Sequence, residues 1–244
     1  METANSIIIT IDGPAGSGKS TLAQGLAEAL GITCLNSGAI YRALALKALN
    51  NGIDPTSESD SLVLLKDLSI KVHPPVSLEQ KFCVTLNGED VTDHLWANEV
   101  SIAASKISKH PKIREKMVEL QRKIADDSVK DQTAKGNELV GIVIEGRDAG
   151  TVVFPKAKVK FFLVAKIDER AKRRMNDFGD GEVSLEKARD EIMKRDLADE
   201  TRAASPLIPA EGSIVLDNTD WDKDETLMHA VEAVEDKLGI EVWY

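Results

Sequence analysis

The chain has 244 residues, of which 42% are hydrophobic and 30% charged, and 41 acidic against 31 basic side chains give a formal charge of −10. That length buries a sizeable core, and the acidic balance excludes a general basic footprint for duplex nucleic acid or an anionic membrane. The longest uncharged run, Ala29 to Tyr41, is too short and too polar to cross a bilayer. Glu2, with no basic residue before Lys19, speaks against a secretory leader. Cys34 and Cys83 allow at most one disulfide and fit no metal spacing. A soluble cytoplasmic protein is expected, with no nucleic-acid or membrane partner.

Ser6 to Asp12 is a short apolar, β-branched run without helical period, the pattern of a strand buried on both faces. After a glycine-rich turn, Leu22, Leu26, Ala29 and Leu30 mark one face of a helix over Thr21 to Leu30, with Gly31 as its stop. Ile32 to Leu35 reads as a second strand, followed by a helix from about Ala39 to Asn50; this alternation predicts a parallel α/β sheet. Ile70 to Val72 and Phe82 to Leu86 read as short strands, with a helix break at Pro74-Pro75 and a hairpin turn at Asn87-Gly88. A small antiparallel insertion over about Lys66 to Asp93 follows. Helices are expected over about Glu99 to Ser108 and Lys112 to Asp127, then a loop over the polar run Ser128 to Asn137. Val140 to Ile144, Val159 to Val164 and Ile214 to Leu216 complete five core strands, and a helix from about Glu225 to Leu238 stops at Gly239. Such a doubly wound fold binds its ligands at the carboxyl ends of the strands.

Gly13 to Thr21 spells GPAGSGKST, a match to G-x-x-x-x-G-K-[ST] placed between a buried strand and a helix. Its glycines let successive backbone N–H groups face one concavity at a helix N-terminus. Lys19 is placed to neutralise β- and γ-phosphate oxygens and the Ser20 hydroxyl to ligate Mg²⁺. No N-K-x-D guanine reader occurs, D-x-x-G at Asp236 to Gly239 lies far from any strand end, and Asp177-Phe178-Gly179 reads as a turn. A small kinase is the reading that remains.

Lysine outnumbers arginine 21 to 10, yet 7 of the 10 arginines fall between Arg147 and Arg202. Arginine's planar fork suits phosphate and carboxylate recognition. Arg147-Asp148 follows a strand and stands at the carboxyl edge of the sheet. In a helix over Ser184 to Ala203, the stripe Leu185, Ala188 and Ile192 extends to Arg195, Asp199 and Arg202, either as a ligand-binding set or as a salt-bridge ladder. Arg170, Arg173 and Arg174 fit a lid over a triphosphate or a solvated helix face equally well. Arg189 reads as an exposed charge. Arg42, in the helix after the second strand, is placed to meet an acceptor phosphate. The four histidines show no pair at metal spacing, and Trp96, Trp221 and Trp243 read as packing.

Taken together, GPAGSGKST at Gly13, SGAIYR at Ser37, GEDVT at Gly88, a helix reaching Ser105, EGRDAGTVVFP at Glu145 and RDLADETRAASPL at Arg195 resemble the bacterial cytidylate kinases over nearly the whole chain. The resemblance implies an α/β P-loop kinase with a five-stranded parallel sheet flanked by helices. Within one domain of residues 1–244 it implies a monophosphate-binding insertion at about 66–98 and a helical lid at about 167–204. The implied reaction makes CDP or dCDP from CMP or dCMP with ATP and Mg²⁺. Gly13, Pro14, Ala15, Gly16, Ser17, Gly18, Lys19, Ser20 and Thr21, with the lid residues Arg170 and Arg174, would bind ATP, and Ser20 the metal. Ser105, Arg114 and Asp148 would read cytosine; Arg42 and Arg147 would hold the CMP phosphate; Ser37, Tyr41, Arg195, Asp199 and Arg202 would line ribose and phosphate. Lys19, Arg147, Arg195, Asp199 and Arg202 would carry the catalytic step. Two positions depart from the pattern: Asn36, where an Asp is usual, and Ala198, where an Arg is common. Other readings are a small kinase for UMP, AMP or shikimate, and a nucleotide-binding switch without phosphoryl transfer. A monomer is expected.

Overall fold

A computed structural model of the chain describes residues 6–73, 83–177 and 184–242. They fall into two compact units, one from residue 35 to 131 and one formed by the residues before 35 and after 131. In chain order the elements are β1 (Ile7–Asp12), α1 (Lys19–Leu30), β2 (Thr33–Asn36), α2 (Ser37–Asn50), α3 (Glu58–Val63), β3 (Ile70–His73), β4 (Cys83–Leu86) and β5 (Glu89–Asp90). A 3-10 turn (Thr92–Trp96) precedes α4 (Asn98–Ile107) and α5 (Pro111–Ala134). Then come β6 (Gly141–Gly146), a π-helical turn (Ala149–Val153), β7 (Val159–Val164), α6 (Ile167–Asp177), α7 (Leu185–Thr201), β8 (Ile214–Asp217) and α8 (Lys223–Leu238).

The expected five-stranded parallel sheet is present, in the order β2-β6-β1-β7-β8. Ile9 and Ile11 of β1 and Ile142, Val143 and Ile144 of β6 are wholly buried, which is why these strands read as unbroken apolar runs rather than alternating ones. In-register pairing sets Asp12 beside Gly146 on one side and beside Phe162 on the other. The strand order reverses at β1, so the loop after β1 opens at the crevice where a doubly wound sheet takes its ligand. α8 closes this unit with a capping box: the Asp222 carboxylate accepts from the Asp224 and Glu225 amides, and Glu225 accepts from the Asp222 amide.

In the other unit β3, β4 and β5 form an antiparallel sheet, with Val72 opposite Val84 and Leu86 opposite Glu89. Asn87 and Gly88 take φ of 53° and 92°, as a two-residue hairpin turn requires. Asn36 caps α2, its Oδ1 accepting from the Ala39 amide at 2.9 Å. A neutral amide therefore does at this position what an aspartate would do as a cap.

Several boundaries differ from expectation. α1 and α2 begin two residues early, because a first helical turn made of polar or glycine residues adds nothing to the apolar period. The run Ser128 to Asn137 is helical as far as Ala134: Met117, Gln121, Ala125 and Val129 continue one buried stripe at four-residue spacing beneath a polar outer face. On α7 the buried stripe is Ala188, Ile192 and Asp196, while Leu185 is exposed. The expectations for Pro74-Pro75, for Phe82, for the turn at Phe178-Gly179 and for Trp243 lie outside the described residues. Cys34 and Cys83 are both free thiols, and no described helix is long and apolar enough to cross a membrane.

Candidate active site

The loop between β1 and α1 is built around glycines that admit no substitute. Gly13 has φ of 152°, and a Cβ there would sit 2.2 Å from the Leu163 carbonyl oxygen on β7. Gly16, at φ of 74°, lies against the backbone of Arg170, so α6 rests directly on the loop. Lys19 opens α1 and folds back over the loop, its Nζ donating to the Pro14 carbonyl at 2.6 Å and to Ser17 Oγ at 3.4 Å. Burial, and then the neighbouring Arg147 cation, push its pKa well below the ordinary lysine value. Glu145 and Asp199 pull the other way, and a polyanion held at the loop would add to their effect. Ser20 donates to Glu145 Oε1 at 2.5 Å, and Ser17 keeps its carbonyl under the Asn218 side-chain amide at 3.1 Å. Arg173, third of the clustered arginines, bonds Asn218 twice and the same Ser17 carbonyl. Its guanidinium holds the loop rather than lying on a solvated face.

A second cluster stands at the carboxyl end of β6. Arg147 Nε donates to Asp199 Oδ2 at 2.8 Å, and Arg202 approaches the other oxygen of the same carboxylate at 3.6 Å. Burial by itself would lower the Arg147 pKa and raise that of Asp199. Their pairing reverses both, with Arg147 held above and Asp199 below its ordinary value. For Arg195, burial and then Arg147 outweigh the pull of Asp199 and bring it down to about 10. Arg147, Arg195 and Arg202 thus crowd the Asp199 carboxylate, with Glu145 and Asp196 also acting on Arg147, and Lys19 lies in the field of the same groups.

Asp148 is buried at the head of the π-helical turn, its carbonyl accepting from Val152 and Val153. The turn is pinned by Asp12, whose carboxylate accepts from the amides of Ala149 at 2.8 Å and Gly150 at 2.7 Å. Burial nevertheless pushes the Asp12 carboxyl up to about 6, with the Asp148 charge adding to the shift. A charged residue closing an otherwise apolar strand is the sequence signal for Asp12, but its partners 137 and 138 residues away leave none.

The other unit carries Ser37, Tyr41, Arg42, Ser105 and Arg114. Ser37 Oγ donates to Gln121 Oε1 at 2.6 Å, a partner that only the folding of α5 supplies. The Arg114 guanidinium lies 5.5 Å over the Tyr41 ring and donates to the Ser108 carbonyl. That of Arg42 lies 4.8 Å over Trp96, so this tryptophan holds an arginine as well as packing. Ser105 is half-buried on α4. Arg170, Arg174, Arg147, Asp148, Arg195, Asp199 and Arg202 belong with the phosphate loop to the unit formed by the residues before 35 and after 131.

Among the described residues no group of three or more His, Cys, Asp or Glu side chains is placed to hold a metal. The Ser20 hydroxyl and the Glu145 carboxylate beside it form a small all-oxygen donor set of the kind that suits Mg²⁺, which keeps much of its water and shares phosphate oxygens.

A doubly wound sheet, a GPAGSGKST loop at its reversal point and a cationic cluster at the neighbouring strand end define a P-loop kinase. The cytidylate kinase family model matches residues 9–236, and the chain belongs to that family. The cytidylate kinase of Klebsiella pneumoniae (strain 342) is 41% identical over 240 residues, which is 98% of this chain and 99% of that protein. That of Aliivibrio salmonicida (strain LFI1238) is 41% identical over 238 residues, covering 97% and 100%. That of Escherichia coli O1:K1 is 40% identical over 240 residues, covering 98% and 99%.

Proposed function

We propose that the chain transfers the γ-phosphoryl group of ATP directly to the phosphate of CMP or dCMP, yielding CDP or dCDP and ADP. The observation that carries this reading is the crowding of the buried cations Arg147, Arg195, Arg202 and Lys19 around Asp199 beside the phosphate loop. A phosphomonoester with a second pKa near ~6 is largely dianionic at neutral pH, so the acceptor needs no general base. What it needs is alignment with the γ-phosphorus and relief from the repulsion between two polyanions.

The loop amides of Gly16 to Thr21 and the Lys19 ammonium hold the β- and γ-phosphates. Arg174 reaches them from the lid of about 167–204. Ser20, with Glu145 beside it, would hold Mg²⁺, which neutralises phosphoryl charge when bound. Arg147, Arg195 and Arg202, kept in register by Asp199, take the acceptor phosphate and the charge that spreads over the transferring group. Arg42 contacts the acceptor phosphate and Ser37 and Tyr41 its ribose, while the insertion of about 66–98 contributes to the same subsite. Ser105, Arg114 and Asp148 read the base, since only cytosine among the pyrimidines offers an exocyclic amino donor to a carboxylate. The enzyme works as a cytoplasmic monomer, a compartment in keeping with its two free thiols.

Coupled ADP release with CMP, dCMP, UMP, AMP and shikimate as acceptors tests the reading. Fast turnover on CMP and dCMP alone is expected; a preference for another acceptor would overturn the base-reading assignments, and silence on all five the kinase. In the same assay Asp148→Asn is expected to cut the CMP/UMP ratio of kcat/KM by about tenfold or more, because an amide presents either hydrogen-bonding sense. An unchanged ratio removes Asp148 from base recognition.

A further inference from the structure

Arg170 stands in the lid helix α6, where the family pattern points to an ATP contact, yet its side chain is only 10% exposed and turned into the chain. Its Nε donates to the Ala165 carbonyl at 2.9 Å. One terminal nitrogen donates both to the Ala15 carbonyl at 3.0 Å and to Asp196 Oδ2 at 2.5 Å. The second oxygen of Asp196 accepts from the backbone amide of Ala15 at 3.1 Å. A closed ring results: the amide and carbonyl of one phosphate-loop residue are each bound to one member of a buried ion pair. The pair spans α6 and α7 directly beyond their shared apolar contact of Ile167, Ala171, Ala188 and Ile192.

We infer that Arg170 and Asp196 form a charge-neutral clamp that positions the phosphate loop through Ala15, with Arg170 as the counter-charge of Asp196 rather than a ligand of the nucleotide. A carboxylate bonded to a loop amide is a hazard in a site that must accept a triphosphate. Left uncompensated in a partly dry environment it repels the nucleotide over several ångströms and remains a buried charge without a partner. Arg170 cancels it, and in doing so fixes the carbonyl side of the same residue. Asp196 is a positioning residue, since both of its oxygens are used within the chain. The clamp also ties both α6 and α7 to the loop through one residue, Ala15.

The inference rests on ATP being held at the phosphate loop, so the first measurement is the affinity of the full wild-type chain for Mg·ATP by calorimetry. No binding there fails the functional reading itself, before any variant is compared. With binding established, Arg170→Met, Asp196→Asn and the double variant are measured alike. Arg170→Met is expected to weaken Mg·ATP by about tenfold or more, because it bares the Asp196 charge. Asp196→Asn keeps an acceptor for the Ala15 amide and stays within about threefold of wild type. The double variant should bind at least about fivefold more tightly than Arg170→Met, a non-additivity that reports the coupling. A double variant as weak as Arg170→Met, or weaker, would make Arg170 a direct phosphate ligand and overturn the inference, as would full affinity in Arg170→Met. Should Arg170→Met fail to fold, Asp196→Ala decides: the clamp predicts about tenfold weaker binding than in Asp196→Asn, and equal binding by the two refutes it.

Discussion

Lys19 and Asp12 show how far burial changes what one side chain can do. Lys19 is 5% exposed and held among arginines, so its charge is costly until phosphate arrives. Lys19→Ala is expected to lower turnover by about a hundredfold or more, and near wild-type turnover would sink the phosphoryl-transfer account. Asp12 titrates at about 6 in the folded chain against an ordinary 3.8. Between those values the folded chain keeps a proton that the unfolded chain has released, so this group's contribution to stability falls as pH rises through that window. The full swing is about 3 kcal/mol. Urea unfolding from pH 4 to 7 should therefore show wild type losing stability with rising pH relative to Asp12→Asn, and parallel curves would refute the assignment. Asp12 was legible only as a charge in a strand. Its work, pinning the turn that follows Arg147-Asp148, depends on two amides brought to it by the pairing of β1 with β6.

Helices and strands were read best where the signal is local. The hairpin at Asn87-Gly88 and the helix stops at Gly31 and Gly239 follow from backbone conformations that few other residues adopt, and all three are present. The capping box of α8 is of the same kind, and Asp222→Ala should cost about 1 kcal/mol of unfolding free energy, measured by denaturant titration. Expectation and structure differ where composition and apolar period disagree. Ser128 to Ala134 is polar, yet Val129 and Gln132 are buried, and the Gln132 amide bonds both backbone groups of Gly141. On α7 the expected stripe through Arg195 and Asp199 was set by Leu185. Leu185 is exposed and Asp196 joins Ala188 and Ile192 in the buried line, while Arg195 and Asp199 lie beside it, as expected, turned toward Arg147. One step along the helix, from Arg195 to Asp196, separates the cluster around Arg147 from the salt bridge to Arg170.

The whole chain carries −10 charges, yet cations cluster at the strand ends beside the phosphate loop, so charge is unevenly divided along the fold. Large exposed apolar side chains are spread over several elements, with Met193 and Leu197 one turn apart on α7. Sedimentation equilibrium is expected to give the monomer mass of 26.6 kDa, and twice that value would refute the monomer. What the amino-acid order determined unaided was the phosphate loop, the five strands and their parallel class. Each depends on neighbours within a few residues, or on an apolar run that only a doubly covered strand explains. What the tertiary structure decided was the partnership of the charges: Arg170 with Asp196 across 26 residues, Arg147 with Asp199 across 52, and Asp12 with the turn after β6. A carboxylate's partner is whichever donor the packed chain brings within 3 Å or so, and nothing in its near sequence records which one that will be.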